Sequence, residues 1–192
     1  MNILFIAPRQ HTNYSGIINS LKNKNKIFFK SYYKSKIEDY THVKANILEQ
    51  SILSKFIIFI FGKKNYKFYY FPKFIDYYNY LKNINPEVVI LRITGRFNFY
   101  LNIIFLSLFK CKIICHEQKI NNRRNLKYKS IKNFLLYYEW YLLNKIFNIR
   151  IFSPIYKKKD DKDFFYLPFV THKKKRNLFL NKKIDFISIG KF

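Results

Sequence analysis

A chain of 192 residues has room for one generous domain, or one domain with a ragged end. With 49% of its residues hydrophobic it can bury a sizeable core, which excludes disorder as its main theme. Lysine and arginine number 37 against 11 acidic residues, a formal charge of +26, which points to an anionic partner: nucleic acid, a phospholipid surface or a phosphorylated substrate. Phe, Ile, Lys, Asn and Tyr dominate and all have A/T-rich codons, so nucleotide bias is a second origin for the charge. Under either origin the surface is positive and attracts anionic lipid.

In chain order, residues 3–7 (Ile-Leu-Phe-Ile-Ala) read as a strand stopped by Pro8. The start lacks the basic region and long apolar core of a secretory signal. A short helix over 16–22 follows, with Ser15 as its N-cap, and 26–33 is a second strand. Residues 35–84 suggest two or three helices, around 47–61 and 73–83, joined by an aromatic loop. Glu87-Val88-Val89-Ile90-Leu91-Arg92 is a buried-type strand, Thr94-Gly95-Arg96 a turn and 97–109 a hydrophobic helix. Residues 111–115 form another buried strand. Ser130 then caps an amphipathic helix through Phe147, with Ile131, Phe134, Leu135, Tyr138, Tyr141 and Leu142 as its apolar stripe. Residues 149–152 are a further strand, 157–163 a solvated loop, 172–183 a basic linker and 184–190 a last strand running into glycine.

Strands alternating with helices predict an α/β fold: a Rossmann-like parallel sheet with helices on both faces. The expected organisation is one domain over 1–171, the linker over 172–183, and over 184–192 the first strand of another domain. No stretch reaches the roughly 18 apolar residues that span a bilayer, so any membrane contact is peripheral. The Phe/Tyr/Lys mixture of 55–73 is the candidate membrane-facing segment. Cys111 and Cys115 read as core thiols in a reducing, cytoplasmic setting.

Ligands of open parallel sheets bind at the carboxyl ends of the strands, and three such ends carry polar residues. After the first strand come Arg9, His11, Tyr14 and Gly16, the glycine allowing amides at a helix start to approach a phosphate or sugar closely. After the 87–92 strand come Thr94 and Arg96. After the 111–115 strand come His116, Glu117 and Gln118. His116 and Glu117 are the candidate catalytic pair, a base near neutral pH beside a carboxylate that can hold a sugar hydroxyl. A phosphate-cradling Gly-Lys-Ser/Thr loop, a Gly-x-Gly-x-x-Gly run, a metal-spaced Cys/His cluster and a nucleophile elbow are all missing.

Four stretches together resemble the N-terminal half of GT-B fold, nucleotide-sugar-dependent glycosyltransferases of bacterial polysaccharide and lipopolysaccharide biosynthesis. They are residues 1–16, Asn85-Pro86-Glu87-Val88-Val89-Ile90-Leu91-Arg92, Lys112-Ile113-Ile114-Cys115-His116-Glu117-Gln118, and Tyr166-Leu167-Pro168-Phe169 with Phe186-Ile187-Ser188-Ile189-Gly190-Lys191-Phe192. The resemblance implies a hexosyl transferase truncated as its donor-binding domain begins and inactive alone. It implies no cofactor, the nucleotide sugar being a substrate of the full enzyme. It also implies a glycan or lipid-linked acceptor facing Arg9, His11, Tyr14, Thr94, Arg96, His116, Glu117 and Gln118, with Gly16, Gly190 and Lys191 near the donor phosphates. The cytoplasmic face of the membrane is the implied location. Two alternatives remain: a non-catalytic membrane-associated protein, and a nucleic-acid-binding module. For the second, only nonspecific phosphate contact is expected, because the aromatics fall in apolar periodic runs.

Overall fold

Strand β1 (Asn2–Ala7) is apolar at every position after Asn2, and all five of those residues are buried. Such a run suits a strand covered on both faces, at the centre of a parallel sheet. The computed structural model describes residues 1–8, 12–32, 43–61, 69–92, 95–116, 131–153 and 164–166. In it β1 is joined by β2 (Lys26–Ser31), β3 (Ala45–Ile47), β4 (Val88–Arg92), β5 (Lys112–His116), β6 (Arg150–Ser153) and β7 (Phe164–Tyr166). The seven strands form one sheet in the order β3-β2-β1-β4-β5-β6-β7, and every neighbouring pair is parallel.

The chain therefore walks outward from β1 to β3, returns to the middle, and walks outward again from β4 to β7. Right-handed crossovers in opposite directions put the helices on opposite faces. Helix α1 (Thr12–Leu21) packs Tyr14, Ile17 and Ile18 on Ile3, Phe5, Phe29 and Ile90. On the other face α3 (Phe74–Ile84) and α4 (Arg96–Ser107) bury Tyr77, Leu81, Phe99, Ile103 and Leu106 on Leu4, Ile6, Val89, Leu91 and Ile113. The fold is thus a parallel α/β sheet of the Rossmann-like kind with helices on both faces.

Several boundaries differ from the sequence reading. Helix α1 begins at Thr12, so Ser15 and Gly16 lie within it and are neither its cap nor its leading loop. Strand β3 and strand β7 are additions, both only three residues long and therefore weak as patterns. Helix α2 (Ile52–Phe61) starts five residues later than expected, because the Ser51 hydroxyl accepts the Ser54 N–H at 3.1 Å and caps the helix there. Helix α3 ends where Asn85 turns left-handed (φ 45°) and donates its N–H to Leu81, and Pro86 follows.

Helix α5 (Ile131–Phe147) runs as expected but is rotated. Of its expected apolar stripe, Ile131, Leu135, Tyr138, Tyr141 and Leu142 are exposed, Phe134 lies outside the described side chains, and Leu143 is buried in the core. On α4, Arg96 and the Tyr100 hydroxyl both bind Glu139, which with Leu143 and Phe147 is spaced four apart along one face of α5. The expected linker, the final strand and the loop over 157–163 lie outside the described residues.

A polar seam runs through the larger core. Lys30 is fully buried on β2, its Nζ 4.6 Å from the Tyr77 ring centre and 5.0 Å from that of Tyr32. Among the described residues Nζ has no hydrogen-bond acceptor. The Tyr77 hydroxyl donates to Asn102 Oδ1 at 2.6 Å, and Asn102 donates in turn to the Asn98 carbonyl at 2.6 Å. Burial pushes the Lys30 amine down to about 7. Between that value and its unfolded pKa near 10.5 the unfolded chain holds a proton that the folded chain lacks. Stability therefore rises with pH across this window, by up to about 1.4 kcal/mol per pH unit. Urea unfolding of the wild type from pH 7 to pH 10 is expected to show this slope. Lys30→Met should remove it and raise stability at neutral pH; an equal slope in both proteins excludes Lys30 as its source.

Candidate functional site

The walk reverses between β1 and β4, and on either side of that point consecutive crossovers leave to opposite faces. The carboxyl ends of these two strands therefore border a crevice that no crossover closes, the place where open α/β sheets take ligands. Ala7 and Pro8 form its β1 side. Leu91 and Arg92 form its β4 side, and His116, in register with Arg92, ends β5 beside it.

Tyr14, in the first turn of α1, ties these ends together. Its ring sits edge-on to Phe5 of β1 at 5.9 Å, to Phe29 of β2 at 6.1 Å and to His116 of β5 at 5.6 Å. Its hydroxyl and His116 Nδ1 are 3.3 Å apart in a buried hydrogen bond, with the tautomer setting which group donates. One side chain thus spans the sheet face from β2 to β5 and makes the floor beneath the crevice. Such a contact needs the start of the helix to lie close over the strand ends, and Gly16, buried in α1, offers no side chain to hold it off.

Charge follows from burial. Both rings have lost water almost entirely, Tyr14 at 1% and His116 at 0% exposure. Burial, and then the positive charge of Arg92, hold the His116 imidazole down at about 4. Burial raises the Tyr14 phenol well above its ordinary value, and Arg92 opposes this in part. His116 is accordingly neutral at pH 7. At this ring the hydrogen bond to Tyr14 is the contact the fold provides. Arg92, half-buried, remains as the cation of the strand ends.

The candidate residues divide accordingly. Tyr14, Gly16 and His116 come together at the crevice. Arg96 lies in the first turn of α4, its side chain 72% exposed and 3.4 Å from Glu139 of α5. Arg9, His11, Thr94, Glu117, Gln118, Gly190 and Lys191 lie outside the described residues. Arg92, read from sequence only as the last residue of the 87–92 strand, supplies a charge that acts on both His116 and Tyr14. Lys30, Tyr77, Asn98 and Asn102 were not singled out. The alternation Phe28-Lys30-Tyr32 does carry a signal for Lys30, since period two places it on a covered face.

Cys115 is buried and Cys111 partly buried, and the two are not joined in a disulfide. Among the described residues no cluster of His, Cys, Asp or Glu has the makings of a metal site. A separate groove of about 520 Å³ opens at the opposite, amino end of β2, lined by Ile27, Phe28, Val43, Lys44, Tyr80 and Ile84.

The strand order defines the class, a doubly wound parallel α/β domain whose order reverses between β1 and β4. No family model, curated protein or solved structure matches the chain.

For a histidine with a depressed folded pKa, stability is fully present above its unfolded value near 6.5 and is lost as pH falls towards 4. Proton NMR of His116 is expected to show a neutral ring at pH 6. Tyr14→Phe should destabilise the fold by about 1–2 kcal/mol through the lost buried partner. A His116 titration midpoint above pH 6 contradicts the buried, neutral ring.

Proposed function

We propose that this chain is the acceptor-side domain of a nucleotide-sugar-dependent glycosyltransferase of the GT-B kind, acting in the assembly of a cell-surface glycan. The observation that carries the reading is the all-parallel sheet reversing between β1 and β4, with Arg92 and the Tyr14–His116 pair at the reversal. An acceptor carrying a phosphate or diphosphate gains charge-assisted contact from Arg92 and from the start of α1. The neutral His116 holds the floor in place. Glu117, next in the chain, is the proposed base that takes the proton from the attacking hydroxyl. In this reading the donor diphosphate is held elsewhere than at these strand ends, with Gly190 and Lys191 proposed near it.

Saturation-transfer NMR with two probes tests the assignment: a hexose 1-phosphate standing for the acceptor's phosphorylated sugar, and a uridine diphosphate sugar standing for the donor. The acceptor probe is expected to bind and the donor probe to bind no better than its charge alone dictates. Arg92→Gln should weaken acceptor binding by about tenfold, the loss of one charge-assisted contact. Preference for the donor probe, or binding indifferent to Arg92→Gln, rules the acceptor role out.

A further inference from the structure

Helix α2 is inside out. Eight of its ten residues, Ile-Leu-Ser-Lys-Phe-Ile-Ile-Phe-Ile-Phe, are apolar, yet its one buried residue is Ser54. The Ser54 hydroxyl donates to the Tyr69 carbonyl and accepts the Phe71 N–H at 3.0 Å, so the polar side of the helix is locked against the domain. What faces out is apolar: Ile52 is 83% exposed, Phe59 85%, Phe56 60% and Ile60 56%. An outward apolar face of this continuity marks a docking surface.

The charge around it selects the occupant. Residues 50–75 contain Lys55, Lys63, Lys64, Lys67 and Lys73, of which Lys73 pairs with Glu49, within a chain of charge +26. Two copies of this chain repel, which opposes burial of the face in a homodimer. An anionic bilayer supplies both an apolar phase and phosphate. At about 1.5 Å per residue the helix is roughly 15 Å long, half of what crossing requires, so it can only lie along the interface. Among the described residues no helix is long and apolar enough to cross a membrane.

We propose that α2 seats the protein on an anionic phospholipid surface, with Phe56, Phe59 and Ile60 in the headgroup–acyl boundary and Lys55 among the phosphates. The placement bears on the crevice. Phe61 at the end of α2 stacks on Tyr69 at 5.2 Å, and Tyr69 meets Phe97 at 6.0 Å. Phe97 lies in the first turn of α4, just beyond the β4 end that borders the crevice. The lipid-facing helix is therefore joined to the crevice side of the sheet, within reach of a ligand that is itself anchored in the membrane. The inference stands on the surface of α2 and not on sugar transfer, so either can fail alone.

A tryptophan reporter tests it in the full chain, with the single native tryptophan Trp140 changed to phenylalanine. Phe59→Trp is expected to emit as an exposed indole in buffer. With vesicles of phosphatidylcholine and phosphatidylglycerol it should shift to the blue and be quenched by acyl-chain-brominated lipid. Phosphatidylcholine alone should give little of either. An Ile75→Trp reporter on α3, 74% exposed, should stay unquenched. Phe59→Ser with Ile60→Ser, confirmed as folded by circular dichroism, should partition at least about tenfold less, given the apolar area removed. Three results overturn the proposal: vesicle binding unaffected by the double serine variant, quenching at Ile75→Trp in place of Phe59→Trp, or a Phe59→Trp reporter already blue-shifted without lipid. The last would mean that a second copy or another part of the chain covers the helix.

Discussion

The chain's return to the centre of its own sheet is the constraint from which the rest follows. Because β4 pairs with β1 and not with β3, the crossovers leave the middle of the sheet in opposite directions. Their common handedness then commits α1 to one face and α3, α4 and α5 to the other. Both faces are covered, so β1 and β4 must be apolar on both sides, and residues 3–7 and 88–91 are. The same reversal leaves the carboxyl ends of β1 and β4 without a crossover above them. Fold and site are one consequence of a single topological choice.

Inside this frame the polar groups divide by what water has left them. Tyr14 and His116 hydrogen-bond at the strand ends, and burial, aided by the charge of Arg92, keeps the imidazole neutral. Lys30, Tyr77, Asn102 and Asn98 form a second buried polar set on the other face, held by a cation–π contact and two hydrogen bonds. The Lys30 amine, where protonated, lies against the rings of Tyr77 on α3 and of Tyr32 beside it. Ser54 plays a comparable part for α2. It holds a helix whose apolar residues would otherwise turn inward.

Much of the sheet was legible in the sequence, because strands covered on both faces are written as short β-branched runs ended by Pro, Gly or a polar cluster. Residues 87–92 and 111–115 carried that signal, and β4 and β5 lie within a residue of those bounds. The three-residue strands β3 and β7 were not legible; they depend on a neighbour's edge, which no local pattern records. On α5 the expected apolar positions Ile131, Leu135, Tyr138, Tyr141 and Leu142 are exposed while Leu143 is buried, and the contacts from Arg96 and Tyr100 to Glu139, distant in sequence, left no local pattern to read. Of the site, the strand ends were readable as positions. The partnership of Tyr14 with His116, 102 residues apart, was not, nor was the loss of basicity that burial imposes.

The account stands or falls on where a phosphorylated sugar touches the molecule. Amide chemical-shift mapping during titration with a hexose 1-phosphate decides this most directly. The account predicts that the shifts concentrate at Ala7, Tyr14, Leu91, Arg92, Cys115 and His116, the strand ends around the β1–β4 reversal. Shifts gathered instead around Ile27, Tyr80 and Ile84 at the opposite groove, or spread evenly over surface lysines, contradict it.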